Sequence, residues 1–276
     1  QKSKCRNVQE KIKQMLETGT AIPSGELLLK KKDGTLISVF STHVFLKRKN
    51  KEPEFYCIDV DISERKKLEE TQTFLINCGS QNDNFFISLA KFISETLNME
   101  YVCIDKLESD NLIAKTVAVY NKGVFEDNVT YTLKDTPCGE VIDKSICIFP
   151  KEVTKIFPKD TVLQEMKAES YIGTTLFDSK GKPIGLIAVI DSKPLENPQL
   201  SEAILKTISI RAAGELERTQ AEKELKASEE KYKILFESNY NGISLFYGND
   251  DGTVSNFIEV NAAAAKMIGY TKEEML

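Results

Sequence analysis

The chain has 276 residues, 41% of them apolar and 29% charged, which is room for one to three ordinary globular domains. The net charge is −5, lysine outnumbers arginine 32 to 5, and no basic block interleaves with aromatics, so no nucleic-acid partner is expected. The longest apolar run, Ile184 to Ile190, is too short to span a bilayer, and QKSKCRNVQEKIKQ has no signal-peptide apolar core.

Residues 1–20 have a helical period, with Val8, Ile12 and Leu16 on one face, until GTAIPSG breaks it. Three strand-like runs follow: Glu26–Lys31, Thr35–Arg48 and Glu54–Ile62, separated by Lys32-Asp33-Gly34 and Lys49-Asn50-Lys51. In the middle run Phe40, Thr42, Val44 and Leu46 share one face, and Val39, Ser41, His43 and Phe45 the other. One helix and three strands make a poor independent core. Ser63 is placed to cap a helix over ERKKLEE, in which Leu68, Thr71, Leu75 and Cys78 form a seam. Gly79-Ser80-Gln81-Asn82-Asp83 ends it, and Asn84–Asn98 is a second amphipathic helix.

Strands are predicted over Tyr101–Lys106 and Leu112–Tyr120, joined by a turn at Glu108-Ser109-Asp110-Asn111. Residues 121–135 read as polar loop with a short strand near Val129–Leu133. Thr136 is an N-cap with Pro137 at the first helical position, Ile146–Phe149 is a short strand, and two small helices fit residues 151–168. Tyr171–Asp178 and Lys182–Asp191 form a hairpin across Ser179-Lys180-Gly181. Its second arm is apolar on both alternating sets, the mark of a central strand covered on both faces. From Gln199 to about Tyr240 only Gly214 interrupts a helix of ~60 Å. Its first half, with Ile204, Leu205, Ile208, Ala212 and Leu216, docks on the domain. Its second half is charged except for a thin seam of Ala221, Leu225, Ser228, Tyr232 and Leu235, which suits a two-helix contact. Gly242–Tyr247 and Asn256–Val260 read as a hairpin around Asn249-Asp250-Asp251-Gly252. A helix over Ala262–Ile268 then ends at Gly269, and Thr271 opens another.

Cys5, Cys57, Cys78, Cys103, Cys138 and Cys147 lie at least nine positions apart, so there is no C-x-x-C. With His43 the only histidine, a zinc site of the usual kind lacks ligands, and most acid–base and triad chemistry is removed. Phosphate-loop, dinucleotide and H-E-x-x-H motifs are absent. The thiols read as reduced and intracellular, which places the chain in the cytoplasm, and no enzymatic activity is expected of it.

Gly25–Leu29, the KKKDGT turn and DVDISERKKLEE resemble the second half of a PAS domain. ASEEKYKILFES, NYNGISLF and EVNAAAAKMIGYTKEEM resemble the first half of another. Between them DTPCGEVI, KSICIFPKEV and GTTLFDSKGKPIGLIAVID are similar to GAF domains. The resemblance implies an α+β chain. Residues 1–62 form a C-terminal PAS half, 63–80 an entering helix, 71–217 a GAF domain with an antiparallel sheet between helical layers, 199–240 an exit and signalling helix, and 229–276 an N-terminal PAS half. Each partial PAS fold leaves apolar surface open, at Phe40, Val44 and Ile58 on one side and Ile243, Leu245 and Phe257 on the other. These ends are expected to be partly disordered or to pair with another molecule.

Families of this arrangement are most often sensor histidine kinases, although a cyclase or phosphatase output fits the same input domains. The resemblance therefore implies a homodimer through the connecting helices and a downstream kinase or other output domain. It also implies a GAF cleft between the sheet and residues 136–168, with Tyr101, Phe149, Tyr171 and Thr175 as lining candidates. Cys138, at a helix start that favours the thiolate, is the candidate anchor for haem, another small ligand or redox chemistry. With Cys147 it is also the pair that a methionine-sulfoxide-reductase-like enzyme of this fold would use. Cys103 reads as core and His43 as a packed or exposed strand histidine rather than a haem ligand. Asn121-Lys122 with Phe125 departs in spacing from the cyclic-nucleotide signature of GAF domains.

Overall fold

The computed structural model describes residues 13–49, 51–78, 85–108, 113–142, 144–248 and 254–276. Val8, Ile12, the breaker at 79–83 and the turn residues 109–111 and 249–252 lie outside them. The chain divides into two compact units, Gln1–Ala213 and Gly214–Leu276.

The first unit opens with a helix described over 13–18 (α1), then β1 (Gly25–Lys30), β2 (Leu36–Leu46) and β3 (Glu54–Asp61), an antiparallel sheet in the order β1-β2-β3. Asp33 closes the first turn: its Oδ1 accepts from Thr35 N at 2.9 Å and from Thr35 Oγ1 at 2.7 Å, while Gly34 takes φ +95°. On β2, Val39 and Ser41 are buried, whereas Phe40 and Val44 are exposed, as is Ile58 on β3. Helix α2 (Ser63–Asn77) follows without a break. Ser63 is not its N-cap. Ile62 holds that position and makes no side-chain cap, while Asp61 Oδ1 accepts from Ser63 N and Ser63 Oγ accepts from Ser38 N at 3.1 Å. The hydroxyl thus ties the helix to β2 instead of closing its first turn.

The rest of this unit is built on one antiparallel sheet. In chain order it holds α3 (Phe85–Leu97), β4 (Tyr101–Leu107), β5 (Ile113–Asn121), β6 (Val124–Glu126), β7 (Thr130–Thr132), α4 (Pro137–Val141), β8 (Ile146–Phe149), α5 (Val153–Ile156), α6 (Thr161–Met166), β9 (Ser170–Phe177) and β10 (Pro183–Asp191). The strand order is β6-β5-β4-β10-β9-β8, with β7 beside β5. Strand β10 sits between β4 and β9 and is buried from Gly185 to Asp191, as its doubly apolar sequence requires. Leu186, Ala188 and Ile190 join a core with Cys103, Val141, Leu163 and Tyr171. On the other face α3 packs across β4 and β5. Beside it, Ile204, Leu205, Ile208 and Ala212 of α7 (Pro198–Ser238) are fully buried, and Arg211 lies over the Phe85 ring at 5.4 Å.

The β9–β10 turn follows from Asp178, whose Oδ1 accepts from Lys180 N and Lys182 N, and from Gly181 at φ +79°. Residues 121–135 are more ordered than expected. Lys122 at φ +46° and Gly123 at φ +92° form a tight turn that pairs β6 with β5.

In the second unit β11 (Ser244–Gly248) pairs with β12 (Val254–Val260), followed by α8 (Ala262–Ile268) and α9 (Lys272–Met275). Asn261 caps α8, Gly269 ends it at φ +81°, and Thr271 with Glu274 forms a capping box on α9. Leu245 and Phe257 are exposed and Ile243 half-buried. No helix among the described residues is long and apolar enough to cross a membrane.

Candidate functional site

A cavity of about 310 Å³ lies between the sheet and helices α4 and α6, where the sequence places a cleft. Its position follows from the T-P-C-G sequence. Thr136 Oγ1 accepts from Gly139 N at 3.2 Å and Pro137 pre-sets the first turn. Gly139 is required because a Cβ there would stand 2.3 Å from the Leu133 carbonyl oxygen. With the helix start pinned in this way, Cys138 turns into the cavity. Asp160 Oδ1 caps α6 by accepting from Leu163 N, which sets Val162 and Leu163 on the opposite wall.

The inner wall is aromatic and thiol-rich. Tyr101 and Cys103 reach it from β4, Tyr131 from β7 and Tyr171 from β9. Tyr171 is fully buried and runs along its own strand over Gly173, where a Cβ would lie 2.3 Å from the tyrosine hydroxyl. That hydroxyl donates to Cys138 Sγ at 3.4 Å. Behind the wall stands Asp105, fully buried on β4. It accepts from Cys103 Sγ at 2.8 Å on Oδ1 and from Tyr131 Oη at 2.8 Å on Oδ2. The Tyr131 hydroxyl also lies 3.7 Å from Cys138 Sγ. Burial pushes the Asp105 carboxyl up to about 6, against the pull of these two hydrogen bonds. No cation is among its described partners. Burial also raises Tyr101, Tyr131 and Tyr171, which therefore stay neutral hydroxyls.

Of the residues predicted to line the cleft, the structure brings together Tyr101, Tyr171 and Cys138. Phe149 packs edge-on against Phe157 at 5.2 Å, and Thr175 Oγ1 donates to the Val141 and Lys144 carbonyls, so both serve the packing of α4 and β8 outside the cavity. The helix start that favours a Cys138 thiolate is opposed by the surroundings. Burial, and then the charge of Asp105, push this thiol up to about 12, outweighing the short helix behind it. Cys138 is buried with its Sγ beside the Tyr171 and Tyr131 hydroxyls, and the lining contains no histidine. Cys147 does not line the cavity, and its thiol donates to the Glu140 carbonyl at 3.5 Å, so the Cys138–Cys147 pair shares no open site. His43 lies on β2 with Nε2 3.3 Å from Ser41 Oγ.

Sequence reading missed Asp105 and Tyr131 and treated Cys103 as core alone. The signal was the two-residue period of β4, which puts Tyr101, Cys103 and Asp105 on one face. No group of three or more His, Cys, Asp or Glu suited to a metal occurs among the described residues. Two surface grooves, along Glu69 and Phe74 and beside Asn121 and Lys122, have mixed polar and charged walls.

Residues 230–276 match the family model of the PAS domain. No curated protein matches the chain. Among solved structures, the chain is similar to the GAF domain of the Acinetobacter phosphoenolpyruvate-protein phosphotransferase, at 15% identity over 58% of this chain and 97% of that one, with a TM-score of 0.47. It is similar to the chromophore-binding domain of Stigmatella aurantiaca phytochrome P1, at 10% identity over 68% and 72%, TM-score 0.46. It is also similar to the free methionine-R-sulfoxide reductase of Neisseria meningitidis, at 12% identity over 58% and 91%, TM-score 0.46.

Proposed function

We propose that this chain is the input and transmission segment of a sensory protein. A GAF-type domain over residues 71–217 takes a small ligand in the cavity. Helix α7 carries the resulting change toward the PAS-type segment that begins near residue 230. The protein works in the cytoplasm as a homodimer, and its output is a histidine kinase or another catalytic domain of the same polypeptide. The observation that carries this reading is the cavity itself: about 310 Å³, walled by aromatic side chains with a few converging polar groups, at the lower end of the usual size for small-molecule sites.

A ligand shifts such a protein only by its differential affinity for two states. Bound ligand should therefore survive gentle purification and appear as a discrete added mass under non-denaturing mass spectrometry. Ala188→Phe, which projects a ring into the cavity from β10, should remove that mass while leaving the far-ultraviolet circular dichroism intact. An unchanged adduct in the variant would place the ligand elsewhere.

A further inference from the structure

The cavity has a charge arrangement that the sensory reading does not use. Asp105 is 0% exposed, and the titratable groups that interact with it among the described residues are tyrosines and thiols; Asp160, at the α6 end of the cavity, acts on Cys138 and not on Asp105. Tyr101 and Cys103 lie on its own strand, Tyr131 on β7, Cys138 on α4 and Tyr171 on β9. The cation that a buried carboxylate needs is therefore not supplied by its described partners. Three of the facing groups are tyrosines whose rings line the space, and ring faces attract cations. The hydroxyl protons of Tyr131 and Tyr171 are directed inward, to Asp105 and to Cys138. The partly exposed Tyr131 hydroxyl thus turns oxygen lone pairs, not a donor, toward an occupant, while the Tyr171 hydroxyl stays buried behind it. At the rim Lys159 is paired with Asp135 at 3.6 Å and stands next to Asp160, while Lys134 is solvent-exposed and screened. The interior is electron-rich and the rim close to neutral.

We propose that this cavity binds a compact organic cation, an amine or quaternary ammonium compound, with Asp105 as the counter-charge behind a wall of tyrosines. The proposal rests on the reading of the cavity as the ligand site. Before binding, the Asp105 carboxyl, raised to about 6 by burial, is partly protonated under mildly acid conditions. The cation favours the carboxylate, so below that value binding releases the Asp105 proton to solvent. Affinity accordingly rises with pH up to about 6 and levels off above it.

The test titrates choline, its uncharged isostere 3,3-dimethylbutan-1-ol, and benzoate into the full chain by calorimetry at pH 5 and pH 7. Choline should bind about tenfold more tightly at pH 7 than at pH 5, and more tightly than the alcohol at pH 7. Asp105→Asn should weaken choline by tenfold or more and abolish its pH dependence. Tyr131→Phe keeps the ring but removes a donor to the carboxylate, so it should move the rise in affinity to higher pH. Equal binding of the alcohol, preference for benzoate, a pH-independent choline affinity or no choline binding would each overturn the inference. If the alcohol or benzoate binds where choline does not, the cavity remains the ligand site and only the cation is wrong. If none binds and no co-purified mass is found, the sensory reading of the cavity fails with it.

Discussion

Asp105 places an ionisable carboxyl inside a sheet among neutral neighbours, and the protein carries the cost of ionising it. The folded pKa of about 6 lies above the ordinary 3.8, so between these values the folded state holds the proton more tightly than the unfolded chain. Stability from this group is fully present below about pH 4 and is lost as pH rises through 6. A shift of about two units corresponds to about 3 kcal/mol above pH 7. Asparagine cannot ionise and keeps an acceptor for Tyr131. Asp105→Asn should therefore match the parent near pH 4 and gain on it by up to about 3 kcal/mol by pH 7.5, read from urea unfolding of both proteins at a series of pH values. A gap that does not change with pH would mean that the carboxyl titrates normally. Little of this is legible in C-I-D-K-L, where one aspartate on an alternating strand looks like a solvated position. Its burial is set by β7 and α4, which cross it from 26 or more residues downstream.

At the scale of elements, the sequence was most legible where one local rule decides. Thr136 and Pro137 announce the start of α4, Gly269 the end of α8, and the doubly apolar run of β10 its central place. It was least legible where a residue answers to a distant partner. Ser63 looks like a cap but bonds to β2, and Thr175 shares β9 with Tyr171 but spends its hydroxyl on the end of α4. Lys122 hid a turn because lysine rarely adopts positive φ. The contrast is sharpest among glycines. At Gly139 an added methyl meets the Leu133 backbone, whereas at Gly214, inside α7, it meets nothing within 4 Å. Gly139→Ala should cost about 1–3 kcal/mol through overpacking at the cavity's edge. Gly214→Ala should instead gain about 1 kcal/mol from helix propensity. Thermal unfolding of the two variants beside the parent separates these effects, and equal shifts would show that the close approach at Gly139 does not constrain α4.

At the scale of the whole molecule, the second half of α7 is the surface we propose for pairing with a second copy. Its thin seam faces solvent: Leu225 is 62% exposed and Leu235 59%, and Ala221 and Ser228 are exposed as well. Tyr232 is partly engaged, since its hydroxyl donates to Glu259 Oε2 at 2.8 Å. Around the seam the helix is charged and internally paired, as in the contacts of Arg218 with Glu215 and Glu222. A second α7 laid parallel would cover the leucines and leave these charges in water. Each leucine fully buried there would contribute about 1.5–3 kcal/mol, so the two leucine layers of the seam would give a weak, reversible dimer rather than an obligate one. Weakness suits a relay, because a ligand can bias two packings only when they differ by a few kcal/mol. Leu225 lies midway between Ala221 and Ser228, and an aspartate there would set two carboxylates against each other across the contact. Leu225→Asp should move the protein from dimer to monomer in sedimentation velocity over the micromolar range, with its circular dichroism unchanged because the position is exposed. A parent chain that sediments as a monomer throughout that range, or a variant of undiminished mass, would remove the seam from the mechanism and leave transmission to α7 within one chain.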